Sequence, residues 1–482
     1  VLLHCVAGTA LLAAGTATLN QWYEREEDAR MRRTQMRPLP SGRVTPKRAL
    51  AFGAVLSLAG FVELALAVNL LCALLGLLMR TGWGLAVAGV AVVELAGIAG
   101  AAQLASRIGG VPELVDDGES GLLFEAGSAS DLADKLGLTL QRFKREASDD
   151  VVLLVHGLTT STDMFIMPEH YNIVQYLLDN GWGDVWSVDF RMSGRFSYNL
   201  QRHRYTLDDC ALYDYPAAFA ELRRRIGPDK RIHVICHCMG SSTFMMSLFG
   251  KQVSGASIVI SNSVSLTPNV PGWSNVKLML APALCEYVAG IEYANPLWRR
   301  EPGFSVGKVL ATLVSAFHHE CDIPECHMLS FMWGTGFPSV YNHVNMHDIT
   351  HRRAGDLFGG TSFNYFRHIR KMVKSANTAV KYDTADPKYR PLPDNYLQWA
   401  AEIKTPVLFI TGQDNHIFKD SNLIAWERCN AAVPGLHEKH VFPNYGHQDT
   451  FMGKNCHVDV FPTLLAFLNK HKGRPAPIQA PG

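Results

Sequence analysis

Between Arg231 and Phe244 the chain reads RIHVICHCMGSSTF, and this stretch holds a cysteine suited to act as a nucleophile. The β-branched run Ile232, Val234, Ile235 predicts a strand, and Cys236-His237-Cys238-Met239-Gly240 predicts a tight turn into a helix N-terminus. A turn of that shape thrusts its middle residue, Cys238, out at the top of a sheet. Gly240 falls where strand and helix backbones leave no room for a Cβ. The usual pattern is G-x-S-x-G; here Cys238 stands for the serine and Cys236 for the first glycine. A helix N-terminus biases a thiol toward the thiolate, which attacks ester and thioester carbonyls.

Two other groups of residues could do chemistry. Asn20, Glu24 and Asp28 recur at successive helical turns and so share one face. Carboxylates on one face can hold Mg²⁺ bridged to a diphosphate. Farther on, His318, His319, Cys321, Cys326 and His327 crowd together, and His343, His347 and His351 fall four apart on one helical face. Neither group has finger-like spacing, so cap packing and hydrogen bonding are expected of them, and no metal.

The elements around these residues divide the chain unevenly. Of 482 residues, the first hundred or so carry most of the long apolar runs. Val1–Leu19 and Ala49–Val68 each approach the roughly twenty residues that span a bilayer, and a third run covers 70–105. The basic loop Arg25–Arg48 between the first two belongs on the cytoplasmic side by the positive-inside rule. Val1–Leu19 has no basic region before it and does not read as a signal peptide; a chain starting at Val1 reads as a possible fragment. Net charge is +1, which argues against a nucleic-acid partner. Ten cysteines without regular spacing read as reduced thiols rather than a disulfide framework.

From Asp149 onward, strands alternate with helical segments: 149–157 ending in His156-Gly157, 183–189, the turn strand, 257–260, 407–411 and 439–442. This argues a parallel sheet covered on both faces. The order strand, His-Gly, strand, Asp189-Phe-Arg, helix, strand and turn resembles the α/β-hydrolase fold over 149–473, with 474–482 as a tail. The resemblance implies an acid just past the strand Val407–Thr411, where Asp414 stands with Asp420 as second choice. It also implies a base at the Gly446-His447 pair after the last strand. It makes Cys238, His447 and Asp414 a triad, with the backbone N–H groups of Leu158 and Met239 as the oxyanion hole. His237 and His416 are expected to pack beside it. His-Cys-Met-Gly-Ser is similar to the hydrolase domain attached to cholesterol-oxidase-like members of the glucose–methanol–choline oxidoreductases. The aromatic-rich insertion at about 268–396 is expected to be a helical cap over a lipophilic ester substrate. The sheet is expected to begin at the His-Gly strand, its edge covered by Gly121–Phe124 or left exposed. Cys236 in place of glycine keeps a second reading open, a catalytically silent binding module on a membrane anchor.

Residues 1–80 resemble heme O synthase (protoheme IX farnesyltransferase) through Asn20-Gln-Trp-Tyr-Glu24 to Asp28 and on to Arg43. The resemblance implies Asn20, Glu24 and Asp28 as metal-binding and Arg33 and Arg37 as diphosphate-binding residues. Mg²⁺ is expected only if that motif works. No second acidic motif follows, so the segment reads as a remnant, with remnant prenyl transfer a third reading. Residues 82–145 are similar to the nucleotide-sugar half of GT-B fold glycosyltransferases, through Gly109-Gly110, the strand Gly121–Phe124 and a capped helix from Ser128. The expected protein is thus α/β, an α/β-hydrolase sheet with a helical cap preceded by transmembrane helices, membrane-anchored with the hydrolase facing the cytoplasm.

Overall fold

The computed structural model describes residues 2–23, 25–30, 37–67, 103–106, 121–124 and 138–477. Glu24, Arg33, most of the apolar run 70–105, the Gly109-Gly110 loop and the helix from Ser128 lie outside the described residues. The chain divides into two compact units, Val1–Lys135 and Leu136–Gly482.

In the first unit, helices Leu2–Tyr23 and Pro46–Ala67 run antiparallel, and small residues let their backbones approach. A Cβ on Gly8 would lie 2.6 Å from Leu64 Cγ, and one on Gly53 2.8 Å from Leu19 Cγ. Ser57 Oγ turns back to the Gly53 carbonyl at 2.8 Å, keeping its hydroxyl satisfied at the seam. Among the described residues no helix is long and apolar enough to cross a membrane, which corrects the expectation of transmembrane helices. Polar side chains break each run. Leu2–Tyr23 carries His4, Thr16, Thr18, Asn20 and Gln21, and Pro46–Ala67 opens on Lys47 and Arg48 and holds Glu63. Two short strands, β1 (Gln103–Ser106) and β2 (Gly121–Phe124), pair in parallel.

The second unit is built on a seven-stranded sheet. Its strands are β3 (Thr139–Lys144), β4 (Asp150–Val155), β5 (Asp184–Asp189), β6 (Arg231–His237), β7 (Ala256–Asn262), β10 (Val407–Gly412) and β11 (Glu438–Phe442). Their order is β11-β10-β7-β6-β4-β5-β3, and only β3 runs antiparallel. The four central strands β4, β5, β6 and β7 read as near-continuous apolar runs because helices cover both faces. Strand β3 corrects the expected start of the sheet: it pairs with β5 from Thr139↔Asp189 to Lys144↔Asp184. Strand β2 is engaged with β1, so it does not cover this sheet. The signal for β3 was weak because its solvent-facing side is charged.

Between β7 and β10 the chain forms the cap. Its main helices are Gly272–Ala283, Val306–Phe317, Pro324–Trp333 and Phe363–Lys374. A small antiparallel pair, β8 (Tyr293–Ala294) with β9 (Thr361–Ser362), ties the start and end of the cap together. His343, His347 and His351 do not share one helix face, contrary to expectation. His343 lies in a short 3₁₀ turn, while His347 caps the separate helix Asp348–Arg352 that contains His351.

Candidate active site

Strand β6 delivers Cys238 to the carboxyl edge of the sheet, where the helix Cys238–Phe249 begins. Cys238 has φ +53°, a left-handed backbone that costs a Cβ-bearing residue about 1–3 kcal/mol. Two glycines hold it there. A Cβ on Gly157 would stand 2.8 Å from Cys238 Cβ, and one on Gly240 would collide with the His156 carbonyl. Cys236, at the position of the usual first glycine, fits without strain. Its thiol donates to the Ile260 carbonyl at 3.4 Å on the adjoining strand.

The N–H groups of Met239 and Leu158 both converge on Cys238 Sγ. Leu158 is held by the loop after His156-Gly157, and Asp189 at the end of β5 anchors that loop. Its carboxylate accepts from Thr162 N at 3.0 Å, Thr162 Oγ1 at 3.1 Å and Ser193 Oγ at 3.0 Å.

His447 lies opposite, with a ring nitrogen within 4.8 Å of Cys238 Sγ. Its turn is fastened from two sides. The His447 N–H donates to the Val340 carbonyl of the cap at 3.2 Å, and Gly446 N–H donates to the Asp449 carboxylate at 2.9 Å. Burial raises Asp449 to about 6, against the pull of that N–H and of Asn345.

The ring's orientation follows from its neighbour Asn415, whose Oδ1 stands 3.1 Å from His447 Nδ1. The Asn415 amide faces the Ser263 carbonyl at 3.4 Å, and Oδ1 accepts the backbone N–H of Ile417 and Phe418 at 3.2 and 3.1 Å. Oδ1 is therefore an acceptor toward His447, whose Nδ1 carries the proton. Nε2 is left bare for the thiol.

His237 packs beside this pair, ring to ring with His447 at 5.2 Å. Asn262 donates to its Nδ1 at 3.0 Å, so its Nε2–H donates to Gln448 Oε1 at 2.9 Å. Burial lowers it to about 3, so it stays neutral.

Above the pair, Phe418 lies 5.9 Å ring to ring from His447 and forms part of the wall of an apolar cavity. Leu278, Met328, Trp333 and Phe366 of the cap line it.

A family model for the alpha/beta hydrolase fold matches residues 150–451. The chain belongs to the alpha/beta hydrolase fold family. Among solved structures, the α/β-hydrolase unit resembles a carboxylesterase of Nitrososphaera gargenis, at 15% identity and TM-score 0.42, covering 69% of this chain and 94% of that one. It also resembles the Paleococcus ferrophilus monoacylglycerol lipase, at 14% identity and TM-score 0.40, covering 69% and 99%. At the other end, the UbiA prenyltransferase family matches residues 1–88. Protoheme IX farnesyltransferase of Solibacter usitatus is 67% identical over 75 residues, which are 16% of this chain and 26% of that protein. The chain spans about a quarter of the length of the curated relatives it matches there.

Two expectations for the α/β-hydrolase site are corrected. Asp414 is not the group on His447. Its N–H donates to the Tyr445 carbonyl at 2.8 Å, and it lines an open polar cleft with Glu320, Ser339, His343 and His416. The turn after β10 points Asn415 inward, because its Oδ1 caps two backbone N–H groups, and so leaves Asp414 facing out. Asp420, the second choice, is exposed at the start of the helix Ser421–Ala432. Second, burial works against the thiolate expected from the helix N-terminus. Burial pushes Cys238 up to about 12, opposed by the two N–H groups, and burial together with His237 drives His447 well below the usual imidazole range.

Sequence reasoning missed Asn415 and Gln448. The signal for Asn415 was the run Asn415-His-Ile-Phe418, whose first residue can close an Asx turn on the N–H groups after it. In the prenyltransferase-like segment, buried Asp28 accepts from Arg37 at 2.8 and 3.0 Å. The one described carboxylate of that motif is thus engaged by a guanidinium. The Asn20, Glu24 and Arg33 side chains lie outside the described residues.

Proposed function

We propose that the α/β-hydrolase unit cleaves lipophilic carboxylic esters or thioesters through Cys238, with His447 as base and Asn415 as the group that orients it. The observation that carries this reading is the convergence on one sulfur. Cys238, held at φ +53°, meets two backbone N–H groups and lies within 4.8 Å of a His447 nitrogen. Sγ attacks the acyl carbon while His447 Nε2 takes the thiol proton. The N–H groups of Leu158 and Met239 receive the developing oxyanion. The imidazolium returns its proton to the departing alcohol or thiol, leaving a thioester on Cys238. A water then attacks that thioester, with His447 again taking its proton, and the acid leaves as the thiol reforms. A neutral amide behind the histidine orients it without adding charge, so the proton moves during attack rather than before it.

The cap cavity would take the acyl chain, since its lining is almost wholly apolar and Phe418 joins it to His447. A panel of p-nitrophenyl esters of rising chain length tests the reading, with mass spectrometry of the quenched enzyme. An acyl adduct on Cys238 is expected. Turnover that survives Cys238→Ala would sink it, and a wild-type chain that binds the esters without turning any over would leave the silent binding module as the better account.

The first unit would bring the hydrolase to a membrane. Along Pro46–Ala67, Phe52, Val55, Leu58 and Leu66 are 59%, 63%, 64% and 83% exposed, an apolar row with water as a poor neighbour. The basic loop 25–48 would mark the cytoplasmic side, with the hydrolase on that side too. Cell fractionation tests this; a chain found only in the soluble fraction would count against it.

A further inference from the structure

Away from Cys238, the cap gathers Cys321, Cys326, His343 and His351, with one ligand atom from each all within 4.8 Å of one another. They come from four separate places: the loop after Val306–Phe317, the helix Pro324–Trp333, the 3₁₀ turn His343–Asn345 and the helix Asp348–Arg352. Sequence spacing concealed the cluster because folding, not a finger-like repeat, brings these residues together.

We propose that these four side chains form a structural zinc site, with both sulfurs as thiolates and both imidazoles neutral. The spacing suits that ion. Zn–S near 2.3 Å and Zn–N near 2.0 Å set tetrahedral edges of about 3.3–3.8 Å. Cys326 Sγ already stands 3.4 Å from His343 Nε2. Cys321 Sγ faces Cys326, His343 and His351 together.

The surroundings fit a metal better than a hydrogen-bonded core. His351 Nε2 is buried without a hydrogen-bond partner, which is costly for a group that nothing completes. His343 Nδ1 lies 3.4 Å from Glu320 Oε2, so its Nδ1–H meets a carboxylate and its Nε2 is free to ligate. Tyr341 OH is buried beside Cys326 with no hydrogen-bond partner, and the Ile323 N–H faces Cys321, so each could donate toward a thiolate. The polar cleft holding Glu320, Asp414 and His416 reaches His343 and offers a way in.

The two other sets of possible ligands are already satisfied. His327 donates or accepts with both nitrogens, to Ser315 Oγ at 3.0 Å and the Cys321 carbonyl at 2.8 Å, and His318 Nδ1 meets the Gly336 carbonyl at 2.6 Å. His237, beside Cys238 and His447, also has both nitrogens engaged.

Zinc here would have a task beyond holding the cap together. The segment between Cys326 and His343 contains Val340, whose carbonyl receives the His447 N–H. Closing four chain segments on one ion would fix that carbonyl, and with it the turn that carries His447.

The test is metal content of the full chain purified from zinc-supplemented cells. About one zinc per chain is expected. Replacement by Co²⁺ should give the visible bands of a tetrahedral site and a sulfur-to-cobalt absorption in the near ultraviolet. Cys321→Ser and His351→Ala should lose that signal, while His319→Ala, an exposed neighbour, should keep it. Should either variant fail to fold, the wild-type chain still decides. Wild-type protein that holds no stoichiometric zinc and takes up no cobalt after chelation overturns the proposal, and so does a Cys321–Cys326 disulfide found by thiol titration. Because none of these readouts uses ester turnover, they stand apart from the fate of the hydrolase reading.

Discussion

Asn415 Oδ1 accepts the Nδ1–H of His447 at 3.1 Å, in the place where a carboxylate was expected from Asp414, one residue earlier. An amide there holds the ring but adds no charge to stabilise the imidazolium. A neutral amide there suits the cysteine proposed as nucleophile, which gives up its proton more readily than serine does.

Asn415→Ala should cut turnover by about 10²-fold or more, with KM little changed, because the base loses its orientation but the pocket is untouched. Asn415→Asp should raise the histidine's proton affinity and move the acid limb of the pH–rate profile upward. An Asn415→Ala variant with normal turnover would show that the ring is held by its packing alone.

Cys238→Ala should abolish hydrolysis, by several powers of ten. Cys238→Ser should keep measurable activity, since a neutral imidazole can take a proton from either atom during attack. Combining Cys238→Ser with Asn415→Asp should outperform the serine variant alone, and steady-state kinetics on one ester decides the order.

Alkylation offers a separate check on the resting state. With Cys238 pushed up to about 12 by burial, its reaction with iodoacetamide should be slow at neutral pH and accelerate toward alkaline pH. Peptide mapping of the labelled chain should find the half-exposed Cys285 modified before it. Rapid labelling of Cys238 at pH 7 would mean a thiolate after all.

Much of the sheet was legible because its central strands are buried and rich in apolar residues and several strands end in chemically marked turns: His156-Gly157, Cys238 to Gly240, and Gly446-His447. Order along the chain sufficed to bring Cys238 and His447 to one place. The acid position was missed by one residue because a turn's inward direction depends on which side chain caps its own backbone, and Asp414 and Asn415 both suit such a turn. The meeting of Cys321, Cys326, His343 and His351 was not legible for a different reason. They lie in four segments whose meeting depends on how the cap folds back, and nothing in their spacing encodes that.

Asp150 links the start of β4 to the start of β6 and to the end of the chain. Its carboxylate accepts from Arg231 Nε at 2.9 Å, His233 Nε2 at 2.8 Å and Gly473 N at 3.0 Å. Although burial opposes it, these partners lower Asp150 to about 2. A carboxyl depressed in the folded state stabilises above its unfolded pKa, near 4, and loses that contribution as pH falls toward 2. Wild type should lose stability across that window, and Asp150→Asn should be weaker at pH 7 but flatter between pH 4 and 2. Urea melts at a series of pH values measure the difference.

Strand β3 also decides where this protein can be cut. Arg142 on β3 grips Asp184 at 2.9 and 2.6 Å and lies over the Trp186 ring at 4.8 Å. A fragment starting at Asp149 would strip this guard from β5, leaving a carboxylate without its guanidinium, an open tryptophan face and a row of unpaired amides ready to recruit another chain. The same unit begun at Leu136 keeps its charged hem and should elute as a monomer where the shorter one clumps.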